Sequence, residues 1–124
     1  MQTYCGTDII EIGRIKEEIE RHKESFLNRI YTENEIKYCE SKKDMKYQHY
    51  AVRFAAKEAI FKAVSKKLEN KYDVNWISVE ILNEENGRPI VKIIDNKLSI
   101  IKNIDISLSH CKEYAIAMVV AEVE

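Results

Sequence analysis

The stretch RFAAKEAIFKA, Arg53 to Ala63, decides how the chain is read. From about Met45 to Leu68 there is no Gly or Pro, and the alanines favour one long helix, the longest in the protein. Phe54, Glu58 and Phe61 are spaced by four and then three residues, so on a helix they share one stripe. A carboxylate set among apolar neighbours has to be paired or bound to a metal, and this one needs a partner from elsewhere in the chain.

Upstream, TYCGTDIIEI is rich in β-branched residues and reads as a strand ending near Ile10 or Ile12. After Gly13 the period changes: Ile12, Ile15 and Ile19 recur at helical spacing, with Arg14, Lys16, Glu17, Glu18 and Arg21 on the charged outer faces. Thr32 and Glu35 form a capping box that starts a helix at Glu33, with Ile36 and Tyr38 or Cys39 inward, and ESKKDMK ends it. Downstream, from Val74, Ile77, Val79 and Ile81 alternate with Ser78 and Glu80 as a half-buried strand. Asn-Gly and the single proline in NEENGRP then make a turn before a strand from Ile90 to Ile94. NKLSIIKNI fits helix or loop equally, while IDISLSH and YAIAMVVAEV flank CKE as a terminal β-hairpin. The expected architecture is an α+β fold over residues 1–124 as a single domain, helices first and a mainly antiparallel sheet after.

Composition narrows the function. The chain has 124 residues, 45% hydrophobic and 33% charged, and no apolar run approaches the roughly 20 residues of a membrane span. A formal net charge of −1 argues against a protein built to neutralise a nucleic-acid backbone. Cys5, Cys39 and Cys111 are far apart and form neither a disulfide framework nor a zinc pattern, which points to reduced thiols. MQTYCGTDII has no secretory pattern, and a cytoplasmic protein is expected.

Three features carry chemistry. Asp8 is a charge inside an apolar run; it reads as a helix cap with Glu11 or as a ligand, and Gly13 inside the first helical turns weakens the cap. Glu58 and Lys62 are spaced as an ordinary surface pair, but their phenylalanine flanks argue for a site. His110 in SLSHCKEY closes a strand and fits a structural or a catalytic role. Taken together, two carboxylates from distant segments supply the hard oxygens Mg²⁺ prefers, and Mg²⁺ takes its remaining ligands from water and phosphate. A lysine one turn away is a point charge suited to phosphate.

GTDIIEIGRI, FAAKEAIFKA, NGRP and SLSHCKEYAIA stand in the order of the signature of the bacterial holo-[acyl-carrier-protein] synthases, the small 4′-phosphopantetheinyl transferases, and the chain resembles that family from Gly6 to Glu122. The resemblance implies the 4′-phosphopantetheinyl transferase fold. It also implies transfer of 4′-phosphopantetheine from coenzyme A to a serine of apo-acyl carrier protein, releasing adenosine 3′,5′-bisphosphate, in fatty acid biosynthesis. By the same resemblance Asp8 and Glu58 are the Mg²⁺ ligands and Lys62 lies near the coenzyme A diphosphate. Ser109 and His110 contact phosphate and pantetheine, Gly87 and Pro89 lie beside the nucleotide, and Arg14 and Arg21 receive the acidic carrier protein. The base that takes the serine proton stays open among Asp8, Glu58 and a water. A metal-dependent nucleotide hydrolase would use the same carboxylates, and a binding module using the first helix would leave them dispensable.

The terminal strand offers apolar side chains on both faces: Ala115, Ala117, Val119 and Ala121 on one, Ile116, Met118 and Val120 on the other. A strand covered on both sides has a second cover to find, and a neighbouring subunit supplies it most simply. The family resemblance sets the number at three, a homotrimer with coenzyme A at each interface. A charge at Val119 or Met118 is expected to break it.

Overall fold

The computed structural model describes residues 1–68 and 74–124. Strand β1 (Gln2–Glu11) leads directly into helix α1 (Ile12–His22), followed by α2 (Glu24–Ile30), α3 (Glu33–Glu40) and the long α4 (Lys46–Val64). A short 3₁₀ turn at Trp76–Ser78 precedes the hairpin β2 (Val79–Asn83) and β3 (Pro89–Ile93), and β4 (Ile101–His110) and β5 (Tyr114–Val123) end the chain. The strands form an antiparallel three-stranded sheet ordered β1-β5-β4 and a separate antiparallel pair, β2 with β3. The α+β architecture is as expected, except that the first strand closes the sheet by pairing with the last.

Helix α4 lies across one face of the three-stranded sheet, where Ala55, Ala56, Ala59 and Ala63 meet Ala117, Val119 and Ala121 in one buried cluster. Small residues on both sides allow a close approach, and Gly6 on β1 is its tightest point. A Cβ there would stand 2.1 Å from the carbonyl oxygen of Ala59. A second cluster, with Ile12, Ile15, Ile19, Phe26, Ile30 and Tyr31, seats α1 and α2 against the start of α4.

Several elements differ from the sequence reading. Asp8 is no helix cap: it sits within β1 opposite Ala117, and the residue capping α1 is Glu11, whose side chain makes no capping bond. Helix α2 went unread, because seven residues are too few to show a period. Ile77 lies in the 3₁₀ turn and is exposed, so β2 starts two residues later. Glu80, expected on the solvent side of that strand, is buried because α3 covers it and the Thr32 hydroxyl donates to its carboxylate. The ambiguous NKLSIIKNI holds a 3₁₀ turn at Asn96–Leu98 and then the first residues of β4.

The two faces of β5 alternate as anticipated, but Val119 belongs to the inner one. It is 0% exposed, packed under α4 of its own chain, whereas Met118 is 51% exposed on the open face. Val119 therefore cannot be an axis-facing position. Open beside Met118 are Ile116 and Val120, with Ile9 of β1 paired to Ile116.

Candidate functional site

Strand alternation turns Gly6, Asp8 and Ile10 toward α4, and the glycine lets the helix come close enough for its side chains to reach them. Lys62 Nζ lies 2.9 Å from Asp8 Oδ1 and 3.1 Å from the carbonyl oxygen of Thr7. Glu58, one turn back on α4, faces the same place. Burial pushes its carboxyl above the usual range, the negative charge of Asp8 adds to this, and Lys62 opposes it. Asp8, Glu58 and Lys62, drawn from segments about fifty residues apart, thus form one cluster.

The stripe Phe54–Glu58–Phe61 is real, but it is the least buried face of α4 rather than its core-facing one. Residues on nearly every other side of the helix are buried, including Arg53 and Lys57. The apolar flanks of Glu58 are walls of a cleft.

Two open clefts meet at Glu58. One, of about 480 Å³, is lined by Asp8, Glu11, Arg14, Phe54, Glu58 and Tyr114. The other, of about 510 Å³, is lined by Glu58, Phe61, Lys62, Val74, Asn75 and Trp76. Two carboxylates with a lysine between them are a hard-oxygen donor set short of positive charge. No cluster of three or more metal-ligating side chains exists among the described residues. A pair of carboxylates suits a cation such as Mg²⁺, which keeps several waters and takes phosphate oxygens for the rest.

The remaining sequence-predicted residues lie elsewhere in the chain. Gly87 has φ +89° in the β2–β3 turn, and Pro89 opens β3. Neither lines the Asp8 cleft; nor do Ser109 and His110, exposed at the end of β4. Arg14 lines the first cleft, and Arg21 is exposed two turns further along α1.

Around the β2–β3 turn the structure adds residues that sequence reasoning passed over. Asn83 Nδ2 donates to the Gly87 carbonyl at 3.0 Å, and its Oδ1 accepts from Arg53 Nη2. Arg53, 2% exposed, lies over the ring of Tyr38, as does Lys42, and His49 meets the same ring edge-on. Burial, then the charges of Arg53, Lys42 and His110, lower the His49 pKa to about 4. The signal in sequence was only a scatter of basic and aromatic residues.

The buried pair Lys57 and Glu35 was missed as well, apart from Glu35's place in the capping box. Lys57 Nζ donates to Glu35 Oε1 at 2.6 Å, to the Ile30 carbonyl at 2.8 Å and to the Trp76 carbonyl at 3.0 Å. Glu35 in turn accepts from the backbone N–H groups of Thr32 and Ile81, both at 2.8 Å. Every proton of the ammonium has an acceptor.

The chain is similar in sequence and in fold to known proteins. A model of the 4′-phosphopantetheinyl transferase superfamily matches residues 4–119. The holo-[acyl-carrier-protein] synthase of Ruminiclostridium cellulolyticum is 42% identical, covering 97% of this chain and 92% of that one. That of Dehalococcoides mccartyi strain CBDB1 is 46% identical over 96% and 98%. Among solved structures, the Bacillus anthracis holo-(acyl-carrier-protein) synthase in complex with CoA (3′,5′-ADP) superposes with a TM-score of 0.79 at 34% identity, covering 98% of this chain and 96% of that chain. The Helicobacter pylori holo-[acyl-carrier-protein] synthase in complex with coenzyme A gives 0.79 at 30% identity over 95% and 99%. On a match of this extent, the chain belongs to the 4′-phosphopantetheinyl transferase superfamily, among its holo-[acyl-carrier-protein] synthases.

Proposed function

We propose that the protein transfers 4′-phosphopantetheine from coenzyme A to a serine hydroxyl of apo-acyl carrier protein in the cytoplasm, releasing adenosine 3′,5′-bisphosphate and serving fatty acid biosynthesis. The observation that carries this reading is the convergence of Asp8, Glu58 and Lys62 where two clefts meet. In the transfer the serine oxygen forms a bond to the phosphorus bearing the pantetheine arm. The bond from that phosphorus to the bridging oxygen breaks, and its electron pair leaves with the nucleotide. Lys62 is placed to balance charge growing on the phosphoryl oxygens. The serine proton goes to one of the two carboxylates or to water.

Asp8 and Glu58 would hold Mg²⁺, which when bound supplies Lewis-acid polarisation of the diphosphate. Arg14, on the rim of the Asp8 cleft, and Arg21, on the same side of α1, offer an acidic carrier protein a basic edge beside the reacting serine.

The working unit in this proposal is a homotrimer. In support, Ile9, Ile116, Met118 and Val120 leave an apolar sheet face open, with Ile9 62% exposed. A second support is that Gly87, Pro89, Ser109 and His110 do not share a cleft with Asp8 in one chain, as expected of a site divided between subunits. The number three rests on the family resemblance. Incubation with coenzyme A, Mg²⁺ and apo-acyl carrier protein, followed by intact mass, tests the function. Gain of one phosphopantetheine on the carrier supports it, and turnover of coenzyme A without an acceptor would instead mark a nucleotide hydrolase.

A further inference from the structure

A buried ion pair does not usually repay its desolvation, and apolar residues of similar shape often stabilise as well. Lys57 and Glu35, both with fully buried side chains, therefore call for a reason beyond core stability. The reason is visible in the third acceptor of Lys57. Its ammonium holds the carbonyl of Trp76, the first residue of the 3₁₀ turn that Asn75 caps, at 3.0 Å. The Trp76 ring in turn stacks on Phe54, with centroids 4.8 Å apart, and meets Phe61 edge-on at 5.9 Å. Phe54 and Phe61 are the two aromatic neighbours of Glu58 on α4. Trp76 is thus the far wall of the cleft whose near wall carries Glu58 and Lys62.

That cleft differs in character from the one at Asp8. Phe61, Val74 and Trp76 line it, and among the described residues Ser65 and Asn75 are its neutral polar groups beyond Glu58 and Lys62. Phe54 stacks on one face of the indole and Phe61 meets the ring edge-on, so the cleft presents an apolar aromatic wall. An uncharged chain of methylenes and amides, attached to a phosphate held at Lys62, fits such walls. We propose that Trp76 is a specificity-determining contact for the uncharged arm of the phosphate donor, and that Lys57 is a positioning residue holding Trp76 in place. This rests on the transferase reading above and adds to it the residues that tell the arm from the nucleotide.

The test compares two ligands, coenzyme A and adenosine 3′,5′-bisphosphate, which shares the nucleotide and lacks the arm. Binding of each is measured calorimetrically to wild type, Trp76→Leu, Trp76→Phe and the double variant Lys57→Met/Glu35→Gln, with steady-state KM and kcat alongside. Trp76→Leu keeps the backbone carbonyl that Lys57 needs. It should weaken coenzyme A about tenfold and the bisphosphate less than twofold, and Trp76→Phe should recover most of the loss. Because Trp76 is the only tryptophan, its fluorescence reports its surroundings directly. In the double variant the emission should shift to the red, with the same selective loss of coenzyme A. Equal weakening of both ligands by Trp76→Leu would make the cleft a nucleotide site and overturn the proposal, as would no weakening of either. An unshifted emission with the selective loss present would overturn the role of Lys57. Should the double variant fail to fold, the single Trp76 variants decide the specificity role and Lys57→Gln, read by the same fluorescence, decides the positioning role. A wild type that binds coenzyme A and transfers nothing refutes the transferase reading while leaving this comparison intact.

Discussion

Gly6→Ala should unfold the protein more readily and inactivate it, because the residue marks the point where β1 and α4 come closest. An added Cβ would lie 2.1 Å from the Ala59 carbonyl oxygen and 3.1 Å from both the Ala59 carbonyl carbon and the Ala63 nitrogen. Ordinary carbon–oxygen contacts are no closer than about 3.3 Å, so strand and helix must part by roughly 1 Å. The opposing atoms belong to a helical backbone, which no rotamer change can move aside. Overpacking of this kind costs about 1–3 kcal/mol and occasionally more, while a gap of that size forfeits up to about half of each contact along the seam. Against this, Gly→Ala at a site free of strain gains about 0.4–1 kcal/mol by restricting the unfolded chain. The expected net is a loss of about 2 kcal/mol, or roughly 6–10 °C in Tm at fixed protein concentration. Asp8 is two residues from Gly6 on the strand, and Glu58 and Lys62 are on the helix. The same displacement therefore separates the site and should lower turnover by about 10²-fold. Gly13→Ala is the internal control: a Cβ there meets nothing within 4 Å, and in the first turn of α1 the change should stabilise by about 0.5–1 kcal/mol. Thermal unfolding of both variants with the carrier-modification assay decides the matter. A Gly6→Ala protein as stable as Gly13→Ala would refute the close-approach argument.

Asp8→Asn and Glu58→Gln should each abolish transfer while changing stability by less than about 1 kcal/mol, since the Lys62 partner of Asp8 is 55% exposed and such pairs contribute little. Activity retained in a chelator by either variant would contradict the metal assignment. Arg14→Glu should weaken the carrier protein far more than coenzyme A and reduce the salt dependence of association, measured by stopped-flow at two ionic strengths. Met118→Glu should give a monomer or an aggregate by light scattering, whereas Val119→Glu should fail to fold because it puts a charge under α4; a fully active Met118→Glu monomer would refute the interface site. His49, with its pKa lowered to about 4, binds fewer protons folded than unfolded between about pH 4 and its unfolded value near 6.5. Stability should therefore fall as pH drops through that window and level off below it. His49→Gln should flatten that slope in denaturant titrations at several pH values.

Much of the fold was legible because local rules operate undisturbed. The capping box at Thr32 and Glu35 forms as read, with the Glu35 N–H donating to the Thr32 hydroxyl at 3.3 Å and the Thr32 N–H to the Glu35 carboxylate at 2.8 Å. The short α2 and the 3₁₀ turn at Trp76–Ser78 resisted reading, since seven and three residues are too few to display a period. Periodicity also named the stripe on α4 but not its direction. When a helix is buried on nearly all sides, its most polar stripe can mark either a buried pair or an opening, and only neighbouring elements decide which. Residue chemistry alone was enough to mark Asp8, Glu58 and Lys62, because a charge among apolar neighbours has to have a partner. Whether they meet depends on a strand and a helix some fifty residues apart in the chain, brought together by the absence of a side chain at Gly6. The sequence by itself thus determined the elements and the chemical types of the site. Tertiary structure alone decided that Arg53 and Lys57 rather than Glu58 are the buried charges of the helix, that Val119 faces inward, and that Trp76 lines the same cleft as Lys62. Each of these depends on distance through space, which no spacing along the chain encodes.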